Sequence, residues 1–272
     1  MFFRPSRRAL LTSAVALAFC SIISLQTKAA SENSNPLKVG IIPGPEKELA
    51  VIAVDEAKKK GLAVKLVDFG DYNLPNEALV GKDIDANAFQ HIPFMDAQVK
   101  ARGYKLSVIG KTWVEPLGFY SHKIKSIKEL PDGATIAIQN DPSNQGRALI
   151  LLAKEGLIKL SPNAPALPSL SDIAENPHHF KFIKLDAAQL ARSLDDVTMA
   201  SINTNYVISS GIDPKSVLLQ EDRLHNPYAN VIVVRKGDEN RPEFKTLVES
   251  FHSDAVKKAM ENKFHGAILP AW

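Results

Sequence analysis

Residues 134–156, ATIAIQNDPSNQGRALILLAKEG, decide how the chain is read. Residues 135–138 form a short apolar run with β-branched Thr135, Ile136 and Ile138, the composition of a buried strand. Asp141-Pro142 stops it, because proline has no N–H and fixes its own φ. Ser143 or Asn144 is placed to cap the helix that follows. Residues 148–153 are apolar on every side, so that helix is expected to be buried, and Gly156 ends it. Arg147 is out of place as a cation in the first helical turn, against the positive end of the dipole. Two readings are open. An anion bound at this helix start would account for it, since helix N-termini gather anions and arginine grips a carboxylate through two bonds. A surface arginine paired with Asp141 would account for it equally.

The same grammar repeats upstream. Residues 37–42 read as a strand, Pro43-Gly44-Pro45 as a turn, and residues 46–60 as an amphipathic helix closed by Gly61. Residues 63–69 are the next strand. Strand, helix and strand within about 33 residues make a βαβ unit, hence a parallel sheet with a right-handed crossover. Tyr72 lies in the loop after it, and residues 76–80 begin another helix. Residues 84–89, IDANAF, alternate apolar and polar, placing Phe89 and His91 at a strand exit, where open α/β sheets hold ligands. The plain alternatives are a core Phe89 and a capping or core His91. Residues 106–109 and 113–120 are further strands, the second ending at Tyr120, and residues 123–130 read as a short basic helix crossing between domains.

Downstream, residues 161–168 are a Pro- and Ser-rich loop, and residues 169–176 carry a short helix. His178-His179 has no third ligand at a zinc-like spacing and reads as a polar surface turn. Strands are expected at 180–185, 197–202, 217–219 and 231–234, the last central, with helices at 189–195, 242–251 and 253–264. Asn203 and Asn230 fall near strand ends, where they serve either as amides facing a cleft or as turn asparagines.

Composition narrows the class. The 272 residues carry 33 basic and 30 acidic side chains, enough chain for one large or two modest domains. Arg4, Arg7, Arg8 and Lys28 stand in residues 1–29 without an acid, and the remainder holds 29 basic and 30 acidic side chains. No basic patch addresses nucleic acid. Three arginines precede an apolar stretch at residues 9–25, and Thr27-Lys28-Ala29 places small residues where a signal peptidase reads. Residues 1–29 are therefore read as a signal peptide cleaved after Ala29, giving a periplasmic protein. The only cysteine, Cys20, follows the bulky Phe19, which argues against a lipid anchor there. No cofactor or metal site is read, and neither a G-x-S-x-G elbow nor a glycine-rich phosphate loop is present. A periplasmic α/β hydrolase stays open as an alternative, because the members of a Ser/His/Asp triad need not be near in sequence.

Where Asp83-Ile84-Asp85-Ala86-Asn87-Ala88-Phe89-Gln90-His91 joins Asn140-Asp141-Pro142-Ser143-Asn144-Gln145-Gly146-Arg147, the chain resembles the methionine-binding lipoproteins that serve bacterial ABC importers. Matching segments also include 71–79, 192–196, 202–206 and 227–230, and the likeness runs from about Leu37 to Trp272. The resemblance implies a two-lobed α/β periplasmic substrate-binding protein, type II-like, with ligand in the cleft, no catalytic activity, and a membrane permease of an ABC transporter as partner. It implies lobe 1 from residues 30–120 and 229–272, and lobe 2 from 121–228. Arg147 is then expected to hold the amino-acid carboxylate. Asn203 and Asn230 take the ligand's polar end, where their carbonyl oxygens suit an ammonium, and Asn144 lies nearby. Tyr72, Phe89 and His91 wall the side-chain pocket, and Tyr120 is carried over with them. Phe94 stands where the family often has tyrosine. Rival ligands are another apolar amino acid or a methionine-containing dipeptide.

Overall fold

The computed structural model describes residues 35–272; the expected signal peptide, Cys20 included, lies outside them. The first sheet starts as the βαβ reading requires. Strand β1 (Leu37–Ile41) leads through α1 (Pro45–Lys59) to β2 (Val64–Asp68), and α2 (Leu74–Val80) leads to β3 (Ala86–His91), parallel to β1 on its other side. Helix α3 (Ile92–Arg102) then delivers β4 (Leu106–Val114). The chain crosses to a second sheet made of β5 (Gly118–Tyr120), β6 (Thr135–Gln139), β9 (Lys181–Leu185), β10 (Met199–Ile202) and β11 (Leu219–Gln220). Helix α4 (Pro142–Lys154) follows β6, a small hairpin of β7 (Lys159–Leu160) and β8 (Ile173–Glu175) lies beyond it, and α5 (Thr204–Ser209) follows β10. The chain then returns through β12 (Ala229–Arg235), α6 (Pro242–Phe251), α7 (Asp254–Phe264) and β13 (Leu269–Pro270).

The first sheet has the order β13-β4-β12-β3-β1-β2 and the second β11-β5-β10-β6-β9. In each, the parallel strands wind outward in two directions, from β1/β3 in one and from β6/β10 in the other. Such reversals leave a crevice at the carboxyl ends of the strands, because the helices depart on opposite sides. Each sheet has its own apolar core. Val39, Ile41, Leu49, Trp113, Ile232, Phe244 and Phe251 pack in the first, and Phe119, Ile136, Ile138, Leu149, Leu152 and Met199 in the second.

Several expectations shift. The strand expected over 113–120 is two strands. Pro116 cannot donate to a ladder, so β4 ends at Val114, and β5 pairs with β10 and β11 in the second sheet. The crossing therefore falls at residues 115–117, before the expected boundary at Tyr120. The expected crossover helix at 123–130 is a single 3-10 turn, Ile127–Glu129, and 189–195 is also 3-10. The alternation read in 84–89 hides full burial. All of β3 is buried, and its polar residues close an amide network with α2: Asn76 Nδ2 donates to Gln90 Oε1 (2.8 Å), and Gln90 Nε2 donates to Asn76 Oδ1 (2.6 Å) and Asn87 Oδ1 (2.9 Å). Mutual satisfaction is what lets amides lie in a core.

Gly44 shows how closely the halves approach. It precedes α1 with φ 112 and ψ −146, close to a region only glycine enters freely, and a Cβ there would land on Ser209 Oγ of α5. Gly44→Ala should therefore lower stability by about 1–3 kcal/mol, read from urea midpoints. Adding Ser209→Ala should return the steric part and leave the backbone part. An unmoved midpoint in Gly44→Ala would show that this approach is not close in solution.

Candidate functional site

The crevices of the two sheets face one cavity, lined by Glu46, Tyr72, Phe89, Gln90, His91, Phe94, Glu115, Asn144, Arg147, Asn203 and Asn230. Seven of the expected site residues are here. Tyr120 is not. It is buried with Ala137, Leu190, Leu194 and Ile202 beneath the second sheet, because its strand belongs to that sheet and turns it away from the cleft.

The start of α4 is built differently from the sequence reading. Asp141 is the cap, its Oδ1 accepting from the Asn144 N–H at 2.9 Å while its Oδ2 accepts from Asn144 Nδ2 at 3.0 Å. Asn144 is thereby oriented, and its Oδ1 faces three donors: Arg147 Nη1 at 3.0 Å, Asn203 Nδ2 at 3.2 Å and His91 Nε2 at 3.3 Å. Arg147 sits in the second helical turn, 3% exposed, so the surface pairing with Asp141 is ruled out. Its partner is Glu221, 74 residues away, held by Nε (2.9 Å) and Nη2 (2.7 Å). Nη2 also donates to the Glu115 carbonyl at 3.2 Å, and the guanidinium lies 4.3 Å from the centre of the Tyr228 ring. Burial works against both charges of the pair. Glu221 nevertheless keeps the arginine pKa above its ordinary value, and Arg147 holds the Glu221 carboxyl below its own. The pair is charged throughout the physiological range.

His91 closes β3, and its Nδ1 accepts the Phe94 N–H at 3.2 Å as the cap of α3. That bond leaves the proton on Nε2, which donates to Asn144 and so ties the first half to the second. Burial, then the nearby Arg147, push the imidazole down to about 3. His91 is thus both the capping residue weighed in the sequence and a wall of the cleft. Beside it, Tyr72, Phe89 and Phe94 meet with ring centres 5.8–5.9 Å apart, two of the contacts edge-on. Tyr72 also donates to Asn205 Oδ1 at 2.7 Å and lies 5.2 Å from Tyr206. Asn230 faces His91 in the β12–β3 ladder, and its Nδ2 donates to Glu46 Oε1 at 3.3 Å. Asn203 ends β10, its Oδ1 accepting from Gln139 Nε2 at 2.9 Å. The sequence reading missed Asp141, Glu221, Tyr228, Glu46 and Glu115. For Asp141 the spacing Asp-x-x-Asn at a helix start was a usable signal; the others are placed by contacts far apart in the chain.

A two-sheet α/β protein with a polar cation site and an aromatic wall facing one crevice is a two-lobed substrate-binding protein, and the solved structures it resembles are of that class. Residues 37–272 match the model of the NlpA lipoproteins, and the chain belongs to that family. The D-methionine-binding lipoprotein MetQ of Salmonella typhi is 48% identical over 245 residues, covering 89% of this chain and 90% of that protein. Outer membrane lipoprotein 2 of Mannheimia haemolytica is 42% identical over 276 residues, 100% of both chains. A nutrient binding protein from Burkholderia cenocepacia, solved bound to methionine, superposes with a TM-score of 0.83 at 45% identity, over 87% of this chain and 100% of that one.

The depressed His91 has a consequence for stability. An unfolded imidazole titrates near 6.5 and the folded one near 3, so its contribution is complete above pH 6.5 and is lost as pH falls toward 3. Measured against His91→Gln, the wild type should lose about 1.4 kcal/mol per pH unit across that window. Parallel stability curves from pH 6.5 down to 4 would contradict a neutral, buried His91.

Proposed function

We propose that this chain is the methionine-binding component of a bacterial ABC importer, taking up the free amino acid in the periplasm and presenting it to a membrane permease without catalysing a reaction. One observation carries the reading: a buried arginine site and a Tyr72–Phe89–Phe94 cage open into the same cavity. Aromatic edges suit a flexible thioether, at about 0.3–1.5 kcal/mol per contact, and an arginine suits a carboxylate. The methionine relatives named above support the choice of ligand. Of the five N–H donors on Arg147, Glu221 takes two, Asn144 one and the Glu115 carbonyl one. The ligand carboxylate then meets the remaining N–H together with amide N–H groups of Asn203 and Asn230, not a free guanidinium fork. Tyr72, Phe89, His91 and Phe94 wall the side chain, and Asn144 holds the polar groups in register.

The lobes of this reading are residues up to Val114 and from Ala229 onward for the first, and residues 118–220 for the second. Two crossings, 115–117 and 221–228, act as the hinge. The hydrolase alternative finds no support in the cleft, where both ring nitrogens of His91 are engaged by Asn144 and Phe94. Among the described residues no helix is long and apolar enough to cross a membrane. Export with cleavage after Ala29, and no lipid on Cys20, belongs to the same proposal. The mass of the intact periplasmic protein tests it, with an acylated N-terminus at Cys20 as the contrary result.

Calorimetry on ligand-stripped protein separates the parts of the site. Arg147→Ala should weaken methionine binding by about 3 kcal/mol or more and should also destabilise the fold, since it leaves Glu221 buried and unpaired. Arg147→Lys keeps the charge and should recover only part of the affinity, because an ammonium cannot serve Glu221 and Asn144 together. Phe89→Ala should cost less against methionine and should narrow the preference over leucine. Binding by Arg147→Lys within about threefold of wild type, roughly 0.65 kcal/mol, would remove Arg147 from the recognition of the carboxylate.

A further inference from the structure

The cavity contains two carboxyl groups that the carboxylate and thioether contacts leave unused. Glu46 lies in the first turn of α1, directly after β1, and is 1% exposed. Its Oε1 accepts from Asn230 Nδ2, and its Oε2 is buried with no partner. Glu115 opens the first crossing after β4 and is 8% exposed. Its backbone carbonyl accepts from Arg147, its carboxyl lies beside the Trp113 indole and the Asn205 N–H, and its side-chain Oε1 is buried without a well-formed hydrogen bond. Both line the cavity that holds Arg147. A buried acceptor without a donor costs about 1–3 kcal/mol, and two on one wall are costly for a fold that gains nothing from them. A glutamate in the first turn of a helix is favourable for the dipole on the surface; that benefit does not require burial or an unpaired oxygen.

Resting on the methionine reading above, we propose that Glu46 and Glu115 form the subsite for the ligand's α-ammonium group. An ammonium carries three N–H donors. Glu46 Oε2, Glu115 Oε1 and Asn230 Oδ1 supply three acceptors on the wall beside the arginine. Asn203, whose carbonyl oxygen the sequence reading also offered to the ammonium, already spends that oxygen on Gln139. The charges agree with this division. Burial, then the neighbouring Glu115, raise the Glu46 carboxyl well above its ordinary value, and burial lifts Glu115 to about 8 against the pull of Arg147. The other titratable groups facing the pair are Arg147, Tyr72, Tyr206 and His91, of which only Arg147 is charged near neutral pH. Glu115 is thus protonated near pH 7, and Glu46 is shifted the same way. An arriving ammonium ionises Glu115, and that proton passes to solvent. The subsite requires a free amino group: an acylated or peptide-bonded nitrogen brings one neutral N–H to two carboxyls and is rejected.

The test is calorimetry on the ligand-stripped chain with methionine and with 4-(methylthio)butanoate, which is methionine without its amino group. Wild type should prefer methionine by about a hundredfold. Glu46→Gln and Glu115→Gln, both isosteric, should each narrow that preference about tenfold or more, the loss falling on methionine. Binding of methionine to wild type at pH 7 should release a proton, seen as a heat that varies with the ionisation enthalpy of the buffer, and Glu115→Gln should release less. A preference unchanged in both variants would overturn the ammonium subsite. Should one variant fail to fold, the other decides. The two readings fail separately. Methionine binding that depends on Arg147 while the preference ignores both glutamates defeats only the subsite, whereas wild type that binds neither compound defeats the methionine reading itself.

Discussion

One amide oxygen, Oδ1 of Asn144, holds the cleft together. It takes donors from Arg147 in its own helix, from Asn203 at the end of a neighbouring strand, and from His91 in the other sheet. Asp141 makes this possible by fixing both the backbone and the amide of Asn144. The segment 141–147 is therefore a chain of dependences: the cap orients the amide, and the amide orients the cation and the bridging imidazole. Gly146 belongs to it as well. A Cβ there would stand 3.2 Å from the Leu167 backbone and the Pro168 ring, so any side chain would press the 161–168 loop outward by a few tenths of an ångström.

Electrostatics explains why the cation can be buried. An isolated guanidinium would not survive desolvation, and Glu221 answers it with two hydrogen bonds while Tyr228 covers its face. Because Glu221 stands at the second crossing and Glu115 at the first, Arg147 is bonded to both connections between the sheets. The proposed carboxylate site and the relation of the two halves thus meet in one side chain. This pair adds no net charge, which suits a ligand that is itself a zwitterion.

The βαβ units, the central β12 and the gathering of Arg147, Asn144, His91, Phe89, Tyr72, Asn203 and Asn230 were legible because their signals are local. Strand exits, turn residues and helix starts place side chains at the ends of strands, and topology does the rest. What the sequence concealed depends on long-range packing. Nothing near Glu221 marks it as the partner of a residue 74 positions earlier, and Glu46 reads as an ordinary first-turn glutamate until Asn230, 184 residues on, is set beside it. The alternation at 84–89 reports polarity and not exposure, and the closed amide network of Asn76, Asn87 and Gln90 satisfies polarity without water. Tyr120 came with the resemblance alone, and the break of the ladder at Pro116 puts its strand in the second sheet, with its ring in that sheet's core.

The central claim is that this cavity holds one methionine. Native mass spectrometry of freshly purified protein, never unfolded, tests it directly. The account predicts an added mass equal to one methionine, present in wild type and absent from Arg147→Ala. A ligand of another mass, or a methionine adduct that survives intact in Arg147→Ala, would contradict it.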